Sequence, residues 1–227
     1  VTQHVALLGH PVSHSLSPLM QNAGFAAAGL DWHYSAFDVE DIAEGVLALR
    51  ALGFAGANIT IPHKQSVVAL CDEAEGDAIN TLVFRNGRVL GFNTDKDILA
   101  GIGAKRACVI GWGGAARALV PALPADTRLF TRSGDWPPHT DGCDLIVNAT
   151  PIRDELLVEP QAGQTVVDLA YDRGNAETAL VHAARAAGAT VIDGLEALVR
   201  QGAKGFELWT GVNAPIEVMR DAVRAAP

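Results

Sequence analysis

The stretch Ala107-Cys108-Val109-Ile110-Gly111-Trp112-Gly113-Gly114-Ala115-Ala116 decides the fold. Its apolar residues read as a buried strand, its glycines as a tight turn and its alanines as the opening of a helix, which is the order a dinucleotide-binding turn requires. Glycine there lets the backbone approach a pyrophosphate with no side chain in the way. Downstream, a helix is expected from Ala115 to Leu123, then strands over 128–131, 144–148, 166–170 and 190–193, with a helix over 177–187 between the last two. Strands alternating with helices predict a parallel sheet. After the strand at 128–131, where an NAD-type fold places an acid on the ribose, this chain has Arg132, which suits a 2′-phosphate.

Upstream the same alternation recurs. Val5-Ala6-Leu7-Leu8 is a short buried strand closed by Gly9-His10-Pro11; Ser17 is placed to cap a helix with Pro18 at its first position, and Gly29 stops it. A strand over 34–39, a helix with Ile42, Val46 and Leu49 on one face, and a strand over 57–61 leading into Pro62 continue the α/β pattern. Residues 80–85 and 88–93 flank Asn86-Gly87, the strongest short-range signal for a type I′ hairpin. A two-residue loop sets Arg85 opposite Arg88 and brings Asn80 opposite Asn93 at the open end, with Asp95 just beyond. A helical stretch near 97–102 leads to the glycine turn, and the chain is helical again from Leu195 onward.

Composition narrows the function. A chain of 227 residues, 49% hydrophobic and 19% charged, is a packed α/β protein of one large or two small domains. Its net charge of -9 and lack of a basic run argue against non-specific nucleic-acid binding, which needs clustered Lys and Arg. No apolar run is long enough to span a bilayer, and no basic region precedes a hydrophobic one at the start, so no membrane partner and a cytoplasmic setting are expected. Cys71, Cys108 and Cys143 are far apart, and two of them lie in apolar runs, so neither a disulfide framework nor a zinc site is expected.

Two further stretches carry chemistry. Ser15-Leu16-Ser17-Pro18 puts two hydroxyls at the mouth of a helix, where unpaired N–H groups favour a carboxylate by about 0.3 to 1 kcal/mol. Asn58-Ile59-Thr60-Ile61-Pro62-His63-Lys64 sets amide, hydroxyl and ammonium groups where the chain leaves a sheet at its carboxyl edge, the side on which α/β proteins gather ligands. Asn58, Thr60, Asn80 and Asp95 can converge on Lys64. An ammonium and a carboxylate in contact share protons as one coupled pair. Tyr171 and Gln201 are candidate polar contacts. His10, His14 and His63 lack a second ligand at helical spacing and are read as structural hydrogen-bonding groups, with no metal expected.

These pieces resemble the shikimate dehydrogenase family over nearly the whole chain. The resemblance rests on Gly9 to Pro18, Gly56 to Lys64, Ala78-Ile79-Asn80-Thr81, Gly91-Phe92-Asn93-Thr94-Asp95, Gly111 to Arg117, Asn148-Ala149-Thr150, Gln201-Gly202-Ala203 and Phe206 to Gly211. It implies NADP-linked interconversion of 3-dehydroshikimate and shikimate on the route to chorismate and aromatic amino acids. It also implies a two-domain fold: an α/β substrate domain over 1–95 completed by helices at 195–227, and a Rossmann-like NADP domain over 96–194. In that pattern Ser15 and Ser17 bind the substrate carboxylate, and Asn58, Thr60, Asn80, Asp95 and Gln201 bind ring hydroxyls. Tyr171 lies at the substrate edge, and Lys64 and Asp95 form the acid/base pair. The cofactor falls to Gly111, Trp112, Gly113, Gly114, Ala115, Thr131, Arg132, Ser133, Asn148, Thr150, Leu169 and Gly194. A monomer or homodimer is expected.

The chain departs from the family pattern at Trp112, where Ala is usual, at Asp77, at Arg153-Asp154 and at Arg173-Gly174. The interval from Arg132 to Asn148, with Pro137-Pro138 inside it, is too short for the helix and strand the family has there. A truncated parallel sheet and weakened cofactor binding are therefore expected. Alternative readings are a quinate/shikimate or aminoshikimate dehydrogenase with relaxed cofactor choice, or a ligand-binding homologue without catalysis.

Overall fold

The computed structural model describes residues 1–171 and 176–226; Arg173-Gly174 and Pro227 lie outside the described residues. In chain order the elements are β1 (Gln3–Gly9), α1 (Ser17–Ala27), β2 (Trp32–Asp38), α2 (Ile42–Ala51), β3 (Gly56–Ile59), β4 (Glu73–Ala74), β5 (Thr81–Arg85) and β6 (Arg88–Phe92). There follow β7 (Arg106–Ile110), α3 (Gly114–Leu119), β8 (Asp126–Phe130), β9 (Leu145–Asn148), β10 (Thr165–Asp168), α4 (Ala179–Ala186) and β11 (Thr190–Ile192). Helices α5 (Gly194–Thr210) and α6 (Ile216–Arg224) close the chain. Two units result, Val1–Asp95 with Val199–Ala226, and Lys96–Leu198, so the change of unit falls inside α5.

The first unit has one mixed sheet in the order β2-β1-β3-β5-β6-β4. β1 runs parallel to β2 and β3, and β5 turns antiparallel beside β3. Helix α2 starts where the Asp41 carboxylate accepts from the Ala43 and Glu44 amides at 2.8 and 3.2 Å, satisfying two of its unpaired donors. Its i, i+4, i+7 face, Ile42, Val46 and Leu49, is buried with Leu8, Ile59 and Leu82. Each such side chain contributes about 1.5 to 3 kcal/mol over exposure. Elsewhere in this unit Phe25 of α1 stacks on Phe206 of α5 at 5.1 Å, and the Trp209 indole donates to the Leu82 carbonyl at 2.9 Å. These contacts bind the C-terminal helices to the first ninety-odd residues.

The hairpin forms as its turn dipeptide dictates. Asn86 and Gly87 have φ of 54° and 76°, the left-handed pair of a type I′ turn. The ladder runs from Arg85 opposite Arg88 to Thr81 opposite Phe92, and the Asn80 amide extends it to the Phe92 carbonyl at 3.1 Å. Helix α1 differs from expectation by one residue: Leu16 holds the cap position and Ser17 is the first helical residue. The physical reason lies in Ser15, whose hydroxyl oxygen accepts from the Ser17 amide at 3.2 Å and makes the turn one residue earlier.

The second unit is a parallel sheet in the order β11-β10-β9-β7-β8. Against the doubly wound order 3-2-1-4-5-6, the position outside β8 is missing, and β8 is an edge strand. Among the described residues no helix or strand lies between Phe130 and Leu145. Three expectations are corrected here. The helix expected to reach Leu123 stops at Leu119 and tightens into a 3-10 turn over Val120–Ala122, because Pro121 has no N–H and its ring collides with the carbonyl four residues back. The stretch expected as a helix at 97–102 is a 3-10 turn over Asp95–Leu99. Cys108 and Cys143 form a disulfide: they share a small buried cluster with Phe130, where the chain returns from β8 towards β9 beside β7.

Candidate active site

In the first unit the sheet brings together four polar groups from distant sequence. Lys64 lies beyond the end of β3, Asn80 just before β5, Asp95 just after β6, and Gln201 on α5. The Lys64 ammonium donates to Asp95 Oδ2 at 2.5 Å, with the two side chains only 12% and 9% exposed. The Asn80 amide donates to Asp95 Oδ1 at 2.8 Å and approaches Gln201 Oε1 at 3.4 Å. Both carboxylate oxygens are thus engaged, one by an ammonium and one by an amide. Removing either partner of a buried pair strands a charge and costs about 3 to 5 kcal/mol.

A layer of hydrogen bonds behind these groups sets their positions. Asn80 Oδ1 accepts from the Thr94 amide at 2.8 Å, and the Asp95 amide donates to Asn93 Oδ1 at 3.2 Å. Buried Asn58 donates to the Asn80 carbonyl at 3.1 Å and to the Thr81 hydroxyl at 2.9 Å, and accepts from the Tyr34 hydroxyl at 2.8 Å. Both amide hydrogens of Asn58 are used within the protein, so it braces the hairpin base. Tyr34 and Thr94 belong to this layer and sequence reasoning missed them. The alternation that placed Tyr34 in a strand carries no sign of its partner.

At the mouth of α1, Ser15 is half-buried and Ser17 buried. Gln21, one turn along, is fully buried and donates to the Gly202 carbonyl at 2.9 Å, which ties the helix bearing Ser17 to the helix bearing Gln201. Thr60 is half-buried at the end of β3, its amide donating to the Leu8 carbonyl at 2.9 Å. His63 has its ring nitrogen 2.8 Å from the Val39 carbonyl. His10 hydrogen-bonds Asp38, and that bond raises the imidazole above its ordinary pKa while holding the carboxyl below the usual range. Among the described residues no group of His, Cys, Asp and Glu could hold a metal ion.

In the second unit the order of strands reverses between β7 and β9, and ligands of such sheets lie at the carboxyl ends of the strands flanking this reversal. Gly111, Asn148, Ala149 and Thr150 occupy those ends. Gly111 has φ of +94°, and a side chain on it would meet the Thr150 methyl at 2.8 Å; Gly113 and Gly114 face open space. This geometry fits a dinucleotide turn. The Asn148 carboxamide accepts from the Thr150 amide at 3.0 Å and donates to Asp168 at 2.9 Å. Asp168 accepts a second bond, 2.5 Å long, from Thr178, and burial pushes its carboxyl above the usual range. The Leu169 amide donates to the Asn148 carbonyl at 2.9 Å. A side chain on Gly194 would meet the Ala170 carbonyl at 2.4 Å and Tyr171 Cβ at 2.8 Å. Thr131, Arg132 and Ser133 follow β8, next to β7. Tyr171 lies in this unit, three residues after β10.

A sheet with its dinucleotide turn at the reversal point, and a second sheet carrying a buried Lys–Asp pair, define a nicotinamide-linked oxidoreductase architecture. Residues 7–82 match the shikimate dehydrogenase substrate binding domain, and residues 194–224 match the shikimate 5′-dehydrogenase C-terminal domain. Shikimate dehydrogenase (NADP(+)) of Moorella thermoacetica is 37% identical over 98% of this chain and 92% of its own, and that of Methanopyrus kandleri is 37% identical over 98% and 95%. The crystal structure of shikimate 5-dehydrogenase from Thermus thermophilus in complex with NADP(H) and shikimate superposes with a TM-score of 0.86 at 30% identity, covering 100% of both chains. The chain belongs to the shikimate dehydrogenase family. The alignment with the Moorella relative spans 275 positions against 227 residues here, so at least 48 aligned positions have no counterpart in this chain.

Proposed function

We propose that the chain catalyses the NADP-dependent, reversible reduction of 3-dehydroshikimate to shikimate in aromatic amino acid biosynthesis. The observation that carries this reading is the buried Lys64–Asp95 pair with Asn80 and Gln201 beside it. NADPH, when bound, would supply the hydride for reduction at the C3 carbonyl carbon. As that carbon is reduced its oxygen gains an electron pair and takes a proton from the Lys64–Asp95 pair; oxidation returns the proton to the same pair. The Lys64 ammonium also stabilises the developing negative charge on oxygen, which is worth most in a dry site. Asn80, Gln201 and Thr60 orient ring hydroxyls, Asn58 fixes Asn80, and Ser15 and Ser17 take the carboxylate. For the cofactor, the turn Gly111 to Ala115 would hold the pyrophosphate, Arg132 with Thr131 and Ser133 the 2′-phosphate, and Thr150, Leu169 and Gly194 the remainder. Soluble substrate and cofactor favour a cytoplasmic setting, the Cys108–Cys143 disulfide counts against it because reducing cytosol disfavours such bonds, and the enzyme would act as a monomer or homodimer.

Reduced-nicotinamide absorbance followed with shikimate and with quinate, each with NADP and with NAD, tests the reading. Shikimate with NADP should be the fastest combination. Absence of turnover with every combination would favour the ligand-binding reading, for which the shortened second unit is the motive and the intact ion pair the counterargument.

A further inference from the structure

The segment after β8 stands where this unit lacks a helix and a strand, and it is fixed at several points. The Thr131 amide donates to the Asp135 carbonyl at 3.2 Å and the Gly134 amide to the Thr131 carbonyl at 3.0 Å, closing a turn around Arg132. His139 meets Phe130 edge-on at 5.0 Å, and the Cys108–Cys143 disulfide pins the far end to β7. Trp136, 38% exposed, emerges from the turn with the Arg132 guanidinium 5.8 Å from its ring centroid. One strand over, where the Gly111 amide bonds the Phe130 carbonyl at 2.9 Å, the exit of β7 repeats the pairing: Arg117 lies 5.3 Å from the ring of exposed Trp112. Two guanidinium–indole pairs thus stand at the carboxyl ends of adjacent strands.

Resting on the NADP reading above, we propose that Trp136 is a specificity-determining residue for 2′-phosphorylated adenosine. It holds the Arg132 guanidinium so that its planar fork meets the 2′-phosphate, and it offers an apolar face to the purine. The physical basis is the attraction of a guanidinium to an aromatic face and the fit of its fork to phosphate oxygens. An unsupported arginine on a loop would sample many rotamers and lose that fit. Trp136 therefore takes over, from a short stapled loop, part of the adenosine contact that the absent elements would provide.

Calorimetric binding of NADP, NAD and adenosine 2′,5′-bisphosphate to wild type, Trp136→Leu and Trp136→Phe tests this, with urea midpoints confirming that each variant is folded. Leucine keeps apolar volume without the aromatic face; it should weaken NADP and the bisphosphate about five- to tenfold and NAD less than about threefold. Phenylalanine should restore binding to within about threefold of wild type. A wild-type preference for NADP that survives unchanged in Trp136→Leu would overturn the role of Trp136 and leave the NADP reading standing. Equal wild-type affinity for NADP and NAD would sink both.

Discussion

In the first unit the polar groups around Lys64 are wired to one another, whereas in the second the segment after β8 is held by turn geometry and a staple. Around Lys64, Asp95 and Asn80 the polar atoms are fixed by neighbours within the same unit, and Asn58 and Thr94 brace that set from behind. Around Gly111 the surface is backbone, open space and Arg–Trp pairs with exposed rings, and the segment from Thr131 to Cys143 is held by turn hydrogen bonds, a ring contact and a disulfide. The short interval between β8 and β9 falls in the second unit. A site whose buried charges depend on one another cannot lose a member without stranding another. A dinucleotide turn built mostly from main chain has no such mutual dependence, and the outer strand can be absent without stranding a buried charge.

The largest effect is expected at Lys64. Lys64→Ala should lower kcat by about a hundredfold or more while the shikimate KM changes little, and Ser15→Ala should do the reverse, raising KM about fivefold at near-normal kcat. Steady-state kinetics of the two variants checks the separation; a Lys64 variant with ordinary kcat would remove it from the proton transfer.

The staple is the next test. The disulfide closes a loop with a sequence separation of 35, so reducing it should remove about 3 to 4 kcal/mol of unfolding free energy by loop entropy. Urea denaturation with and without reductant measures this, with Cys143→Ala as the control that no longer responds. Equal midpoints would mean that the ring contact and turn alone secure the segment.

Arg132→Ala sharpens the cofactor side. A charge-assisted bond to a 2′-phosphate is worth about 1.5 to 3 kcal/mol, so the NADP-over-NAD ratio of kcat/KM should fall at least tenfold, with shikimate binding intact. A ratio that stays put would move phosphate recognition elsewhere.

The smallest effect is a pH dependence at the root of β7. Asp144 accepts from the Lys105 and Arg106 amides, each at 2.8 Å, and these bonds hold its carboxyl below the usual range. A lowered folded-state pKa contributes stability that is present above the unfolded value near 4 and is lost as pH falls through the folded one. Asp144→Asn should therefore be less stable than wild type at neutral pH, with the gap closing on acidification in chemical denaturation across that range.

Local rules in the sequence determined the elements and much of the chemistry. Asn86-Gly87 sets a two-residue hairpin because both residues accept positive φ, and the register of that hairpin follows by counting to Asn80 and Asp95. The glycine turn after an apolar strand, the apolar face of α2 and the short interval before Asn148 are likewise legible from neighbours in sequence. Pro121 is legible in the same way as a bar to α3 continuing, since it has no N–H to donate. Only the tertiary structure decided the pairings between distant residues. Cys108 meets Cys143 because the sheet sets β9 beside β7, Asn58 turns inward because Tyr34 and Thr81 lie within reach, and Arg132 lies over Trp136 because the turn between them closes. Propensity and periodicity act over a few residues, while such contacts depend on where strands and loops end in space.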